Sequence, residues 1–229
     1  IEETEKMLGV YADFAENHMA MPVLKGLKTE NERLAGALET YCIEALMQDG
    51  KSLQAGTSHF LGQNFAKAFD VKFQNKDNQE EYVFATSWGV STRLIGALIM
   101  VHGDDKGLRL PPKIAPIQVV VVPIFKSLDE RNTILEYINP LLKGLQDLSV
   151  RVQFDDRETL SPGYKFNEWE MKGVPIRIEV GPRDIDNNNI VIVRRDLNKK
   201  DVIAIEDSKN NITSLLDDIQ LGLFQQSSS

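Results

Sequence analysis

A connector rich in glycine and proline divides the chain and constrains its fold more than any other feature. Pro111 and Pro112 follow Gly103 and Gly107 in one polar stretch, and such residues interrupt helices and strands. Before it, short alternating strands indicate an antiparallel sheet with helices. After it, apolar strands alternate with helical segments, a pattern typical of a mixed α/β sheet. We therefore predict an α+β unit over residues 1–105, a connector over 106–115 and an α/β unit over 116–226.

The first nineteen residues predict a helix. Its large apolar and aromatic residues recur every three or four positions, which places them on one helical face. They are Met7, Val10, Tyr11, Phe14 and His18.

Charge and cysteine content limit the function classes. The net charge of −8 argues against indiscriminate nucleic-acid binding. Residues 1–50 carry four basic and ten acidic groups, whereas residues 151–200 carry ten basic and nine acidic groups. We therefore expect any RNA contact to be local and in the second half. Cys42 is the only cysteine, which excludes an intrachain disulfide and a multi-cysteine zinc site. No uncharged apolar run is long enough to suggest a membrane span.

The strongest motif is the run Thr86-Ser-Trp-Gly-Val-Ser-Thr-Arg-Leu-Ile-Gly-Ala97. It predicts a strand, a tight turn kept open by Gly89, and a helix whose first turn carries Arg93. A helix N-terminus attracts anions, and a guanidinium binds phosphate oxygens or stacks on a base. The alternative is a surface cation, but an arginine that opens an apolar helix favours ligand binding.

This run is similar to the third signature motif of class II aminoacyl-tRNA synthetases. Together with Gln54-Ala-Gly-Thr-Ser-His59 and Met100-Val-His-Gly-Asp-Asp-Lys-Gly107, it makes nearly the whole chain resemble prolyl-tRNA synthetases. The branch shared by archaea, eukaryotes and some bacteria is the most similar. The resemblance implies a cytoplasmic, homodimeric ligase that activates L-proline with ATP and Mg²⁺ and attaches it to tRNA(Pro). Many relatives carry a zinc lobe after this region, but no cysteine follows Cys42, so we expect no zinc and no metal-binding residue in this chain, and we expect no membrane partner.

The resemblance also implies individual roles. Arg93 would be the catalytic arginine, and the ATP-binding residues would be Gln54, Thr57, Ser91 and Arg93. Those that bind proline would be His59, Ser87, Trp88 and Gly89. A mobile loop over residues 28–38 would close on the amino acid. Without the resemblance, His59 is equally well explained as a structural histidine, and Gln54 and Thr57 as ordinary polar residues of a strand.

The second half resembles the anticodon-binding domain of the same enzymes. The similar stretch is Lys165-Phe-Asn-Glu-Trp-Glu-Met-Lys-Gly-Val-Pro175 with the segment 177–184. Carboxylates and basic side chains can hydrogen-bond base edges. The candidates for anticodon contact are Glu168, Lys172, Arg177 and Glu179. The alternative is a solvated surface held by ion pairs.

The chain also departs from the family. The first two class II motifs are absent and would lie before Ile1, so this chain, which lacks an initiator methionine, is expected to be a fragment without activity of its own. Phe60 stands where the family often has a second histidine. The rival hypothesis is a tRNA-binding or regulatory paralogue that has lost catalysis. An upstream sequence with both motifs would favour the enzyme.

Overall fold

The computed structural model describes residues 1–228, and they form two compact units. The first is Ile1–Val101 and the second begins at His102. The predicted fold class is confirmed, because the first unit has an antiparallel sheet with helices and the second a mixed sheet. Within the described part of the chain, no helix combines the length and the apolar character that a membrane span requires.

The first unit is built on a four-stranded antiparallel sheet in the order β1-β2-β3-β6. Strands β4 and β5 form a separate hairpin, and the helix α3 runs up to the boundary between the units. In chain order the elements are α1 (Glu2–Asp13), β1 (Leu24–Leu27), β2 (Glu39–Leu46), β3 (Ser52–Gly62), α2 (Asn64–Ala68), β4 (Lys72–Gln74), β5 (Glu80–Tyr82), β6 (Ala85–Gly89) and α3 (Arg93–His102).

Helix α1 packs on this sheet through a face that the sequence predicted only in part. Its buried residues are Thr4, Leu8 and Ala12, whereas Val10 and Phe14 are 48% and 42% exposed. The helix lies so close to the sheet that Ser58 Oγ donates to the carbonyl oxygen of Thr4 at 2.8 Å. Such a close approach favours small side chains and leaves Val10 and Phe14 exposed, while the ring of Tyr11 lies against Gly56 of β3.

The second unit has a five-stranded sheet in the order β11-β10-β9-β7-β8. Strand β7 runs parallel to β8 and β9, and β10 is antiparallel to β9 and β11. Every residue of β7 is buried, as expected for a central strand covered on both faces. The elements are β7 (Val119–Pro123), α4 (Leu128–Asp147), β8 (Val152–Phe154), α5 (Pro162–Met171), β9 (Ile176–Val180), α6 (Pro182–Asp186), β10 (Asn189–Arg194), β11 (Lys200–Ala204) and α7 (Ile205–Ser227).

The segment predicted as a connector is attached to the second unit. The backbone N–H of Leu108 donates to Met171 O at 3.0 Å, and that of Leu110 donates to Gly173 O at 3.1 Å. Gly107 has a φ of +127°, and a Cβ there would lie 2.6 Å from the backbone of Met171. These contacts explain why the second unit begins at His102 and includes the segment 106–115.

Candidate functional site

A cavity of about 300 Å³ in the first unit is formed by β3, β6 and the start of α3. It is bordered by Gln54, Ala55, Gly56, Thr57, His59, Ser87, Trp88, Gly89, Val90, Ser91 and Arg93. All eight residues that the resemblance assigned to ATP and proline are in this set. The structure therefore brings them together in one place.

A β-bulge in β3 explains why Gln54 lies beside Thr57 and His59. In a regular strand, residues 54 and 57 point to opposite faces. The pairing of β2 with β3 shifts between Ile43 and Glu44, so that Ile43 pairs with Gly56 while Glu44 pairs with Gln54. The extra residue, Ala55, moves Gln54 to the face of Thr57, as bulges commonly redirect side chains.

The pairing of β3 with β6 brings in the next group of residues. Thr57 is opposite Gly89 and His59 is opposite Ser87, so these four lie on one face of the sheet. Trp88 is opposite Ser58, on the face that packs against α1. It borders the cavity and is 46% exposed.

Arg93 is the first residue of α3 and crosses to β3. Its Nη1 donates to the carbonyl oxygen of Gln54 at 3.3 Å, and its backbone N–H donates to Ser91 Oγ at the same distance. Within residues 1–228 no carboxylate forms an ion pair with Arg93, and no other residue that borders the cavity carries a formal charge when His59 is neutral. An uncompensated guanidinium at a helix N-terminus is suited to an anion.

His59 is held as a neutral imidazole. Its Nδ1 is hydrogen-bonded to Thr40 Oγ1 at 2.9 Å. Burial lowers the pKa of His59 below its usual value near 6.5, and the charge of Lys28 lowers it further. The cavity therefore combines one permanent cation with a neutral hydrogen-bonding ring.

A second cavity, of about 330 Å³, lies within the second unit. It is bordered by Lys106, Phe166, Trp169, Glu170, Val174, Arg177, Glu179, Val193, Arg194, Arg195, Asn198 and Lys200. The guanidinium of Arg177 lies 4.5 Å from the centre of the Phe166 ring and 2.9 Å from Glu179 Oε1. The wall thus presents aromatic surface and paired charges.

Only two of the four anticodon candidates border this cavity. Arg177 and Glu179 do, whereas Glu168 is ion-paired with Arg157 and Lys172 at 2.7 Å each. The reason is helix geometry, because each residue of α5 turns by 100°. Glu168 is therefore about 200° away from Phe166, and it points away from the cavity.

Most of the residues that border this second cavity were not predicted from the sequence. The spacing of Phe166, Trp169 and Glu170 by three and four residues would have placed them on one face of α5. Lys106, Asn198 and Lys200 come from distant segments, and no local pattern connects them. In the described part of the chain, no group of three or more His, Cys, Asp and Glu side chains is arranged to hold a metal ion.

The comparisons with known proteins cover both units of the chain. Residues 118–215 match the family of anticodon binding domains. The chain is 61% identical to a proline–tRNA ligase of Flavobacterium johnsoniae over 99% of this chain and 46% of that protein. It is 57% identical to that of Salinibacter ruber over the same shares, and 53% identical to that of Bacteroides fragilis over 98% of this chain and 45% of that protein.

The chain thus spans about half the length of the curated relatives that it matches. The match is continuous across both units, since it covers nearly every residue of the chain. Over the part of these proteins that it spans, the chain is similar to proline–tRNA ligases along nearly its whole length.

Proposed function

We propose that the chain is the C-terminal part of an enzyme that activates proline with ATP and attaches it to tRNA(Pro). Residues 1–105 would be the end of the catalytic domain, 106–115 a connector and 116–226 the anticodon-binding domain. The observation that supports this best is the meeting of Arg93, Gln54, Thr57 and His59 around one cavity. The identity to proline–tRNA ligases supports it independently.

The ATP side of the cavity would be formed by Arg93, Gln54, Thr57 and Ser91. Arg93 has no carboxylate partner within residues 1–228, so it can neutralise phosphate charge or stack on the adenine. Residues bordering the cavity contain no carboxylate. Mg²⁺, which prefers oxygen ligands, would be held by the nucleotide phosphates with help from the amide oxygen of Gln54. We expect no zinc in this chain.

The proline side would be formed by His59, Ser87, Trp88 and Gly89. The absence of a Cβ at Gly89 leaves open space over the sheet, and the neutral ring of His59 can hydrogen-bond the amino acid. The loop 28–38 would close over the bound substrate. These groups position and shield the reactants, and such chemistry depends on orientation and charge stabilisation.

The tRNA side would be the cavity of the second unit. Arg177 and Glu179 offer a donor and an acceptor to base edges, and Phe166 offers a surface on which an unstacked base can lie. Glu168 and Lys172 would support this wall from behind. We further propose that the full-length protein is a cytoplasmic homodimer.

The decisive test is proline-dependent ATP–pyrophosphate exchange by the full-length protein and its Arg93 variants. Arg93→Ala should lower the exchange rate on the order of a hundredfold or more, since loss of one charged contact costs several kcal/mol. Arg93→Lys should not restore it, because an ammonium lacks the planar fork. Lys143→Ala removes an exposed cation of α4 and serves as the control.

Near-normal exchange by Arg93→Ala would refute the assignment of the ATP site. No exchange by the wild-type full-length protein, with retained tRNA binding, would favour the non-catalytic paralogue.

A further inference from the structure

Thr40 lies outside the sequence motifs that identified the first cavity. It is 1% exposed at the second position of β2, directly opposite His59 on β3. Its carbonyl oxygen accepts from the backbone N–H of Lys28 at 2.8 Å. Its hydroxyl accepts from the backbone N–H of Leu34 at 3.4 Å and is 2.9 Å from His59 Nδ1. Thr40 therefore joins the loop 28–38 to His59.

The hydrogen-bond capacity of this hydroxyl determines the tautomer of His59. A threonine hydroxyl has one proton to donate and two lone pairs. The Leu34 N–H can only donate, so it takes a lone pair. Within residues 1–228, the one remaining neighbour able to accept the hydroxyl proton is His59 Nδ1. Thr40 is 1% exposed as a residue, so its hydroxyl does not reach bulk water, and an unmade buried bond is costly.

The proton of the neutral ring must then lie on Nε2. An imidazole whose Nδ1 accepts a hydrogen bond carries its proton on the other nitrogen. His59 borders the cavity, and Nε2–H is the polar group of the ring that Thr40 leaves free. We propose that Thr40 is a positioning residue that holds His59 as a hydrogen-bond donor toward the cavity.

The ligand group that this arrangement selects is an acceptor. A carboxylate or carbonyl oxygen of a bound amino acid fits a donor, whereas its ammonium group does not. The identification of that ligand as proline rests on the proposed function, but the geometry of the Thr40–His59 pair does not. Because Leu34 donates to the same hydroxyl, the loop and the ring are ordered through one group.

Nitrogen-15 spectra of the histidine rings test the tautomer without any substrate. The chain has three histidines, so His59→Gln identifies the His59 signals. At neutral pH the wild-type ring should carry its proton on Nε2, and Thr40→Ser should retain this tautomer. Thr40→Val is nearly isosteric but has no hydroxyl, and it should shift His59 toward the tautomer protonated on Nδ1.

A wild-type ring protonated on Nδ1, or an unchanged tautomer in a folded Thr40→Val variant, would overturn the proposal. If Thr40→Val does not fold, the wild-type and Thr40→Ser spectra still decide it.

Steady-state exchange kinetics of the full-length protein test the consequence for the ligand. Thr40→Val should raise the KM for proline about tenfold, which corresponds to the loss of one well-placed hydrogen bond. The KM for ATP should change less than about twofold, and Thr40→Ser should behave as the wild type.

An unchanged KM for proline despite an altered tautomer would refute the positioning role. Absence of proline-dependent exchange in the wild type would contradict the proposed function alone, because the spectra involve no substrate.

Discussion

The two cavities have similar volumes, but they differ in whether their cations are paired with carboxylates. In the first unit, Arg93 has no carboxylate partner among the described residues. In the second unit, each cation of the wall is ion-paired: Arg177 and Lys200 with Glu179, Lys106 with Glu170, Arg194 with Asp196, and Arg195 with Asp104. An uncompensated cation favours a charged ligand such as a polyphosphate. Paired charges and aromatic surface favour a neutral, polar ligand such as a nucleobase, for which hydrogen-bond pattern matters more than net charge.

The two cavities are also held in shape by different parts of the protein. The first cavity is shaped by backbone, through a β-bulge and a short turn. The second depends on a buried charge network around Asp155, which is 2% exposed and accepts from Trp169 Nε1 and Arg157 Nη2 at 2.7 Å each. Its backbone carbonyl accepts from the buried Lys165 at 3.0 Å. We therefore expect the loss of one carboxylate to disturb the second cavity more than the first.

The largest expected effect on stability is therefore that of Asp155→Ala. It would leave Lys165, which is 1% exposed, without its countercharge. Removing one partner of a buried pair typically costs about 3–5 kcal/mol, so we expect a loss of that order in the free energy of unfolding of the second unit. Denaturant unfolding followed by tryptophan fluorescence measures it, in a Trp88→Phe background that leaves Trp169 as the single tryptophan. Asp156→Ala is the matched control, because its ion pair with Arg131 is half exposed and should be worth less than about 1 kcal/mol.

The same carboxylate predicts a pH dependence. Burial alone would raise the pKa of Asp155, but hydrogen bonds from Arg157 and Trp169 outweigh it and hold the pKa at about 2. A lowered carboxyl pKa stabilises the fold above the unfolded value, near 3.9, and this contribution is lost as the pH falls toward 2. Wild type and Asp155→Ala should therefore converge in stability across that acid range. A constant difference down to the lowest pH would contradict the role given to Asp155.

A smaller effect, on tRNA binding by the folded variant, is expected at Arg177. Arg177→Glu places a second carboxylate beside Glu179, so tRNA(Pro) affinity of the full-length protein should fall about tenfold or more. Lys172 does not border the cavity, so Lys172→Glu should have a weaker effect. The sequence had made both residues candidates for anticodon contact. Equilibrium binding of tRNA(Pro) at fixed salt compares them, with Lys143→Glu as a charge-reversal control. Equal losses for Lys172→Glu and Arg177→Glu would show that overall charge, and not the cavity, governs binding.

The smallest effect concerns the loop 28–38. Most of its residues are exposed, including Leu34 at 44% and Leu38 at 45%. Its backbone N–H groups should exchange with solvent quickly, apart from those of Lys28 and Leu34, which donate to Thr40. Amide hydrogen exchange measures this difference. Uniformly strong protection across the loop would exclude the mobile cover that the family resemblance implies.

The sequence predicted the second unit more fully than the first. The apolar run Val119–Val122 and the alternation of strands with helices are strong local signals, and they led to the mixed sheet. The face of α1 was predicted only in part: Tyr11 contacts Gly56 of the sheet, but close packing selects Thr4 and Ala12 over the larger Val10 and Phe14. Hydrophobic periodicity identifies a helix, but it does not show how closely its neighbour approaches.

The candidate site shows the same division between local and non-local information. The motif residues were identified by resemblance, and the structure adds the bulge at Ala55 that places Gln54 with Thr57. Thr40 carries no motif signal, because its importance comes from a cross-strand pairing with His59. Lys106 and Lys200 reach the second cavity through the tertiary fold, which no spacing in the sequence encodes.

Under the proposed function, the two cavities serve separate steps, one for a charged nucleotide and one for a nucleobase. Arg93→Ala and Arg177→Glu, each measured in the full-length protein for both ATP–pyrophosphate exchange and tRNA(Pro) binding, test it most directly. We predict that Arg93→Ala loses exchange on the order of a hundredfold but binds tRNA normally, whereas Arg177→Glu loses tRNA affinity and exchanges normally. If either variant, while correctly folded, impaired both measurements to the same degree, the division of roles between the two cavities would be wrong.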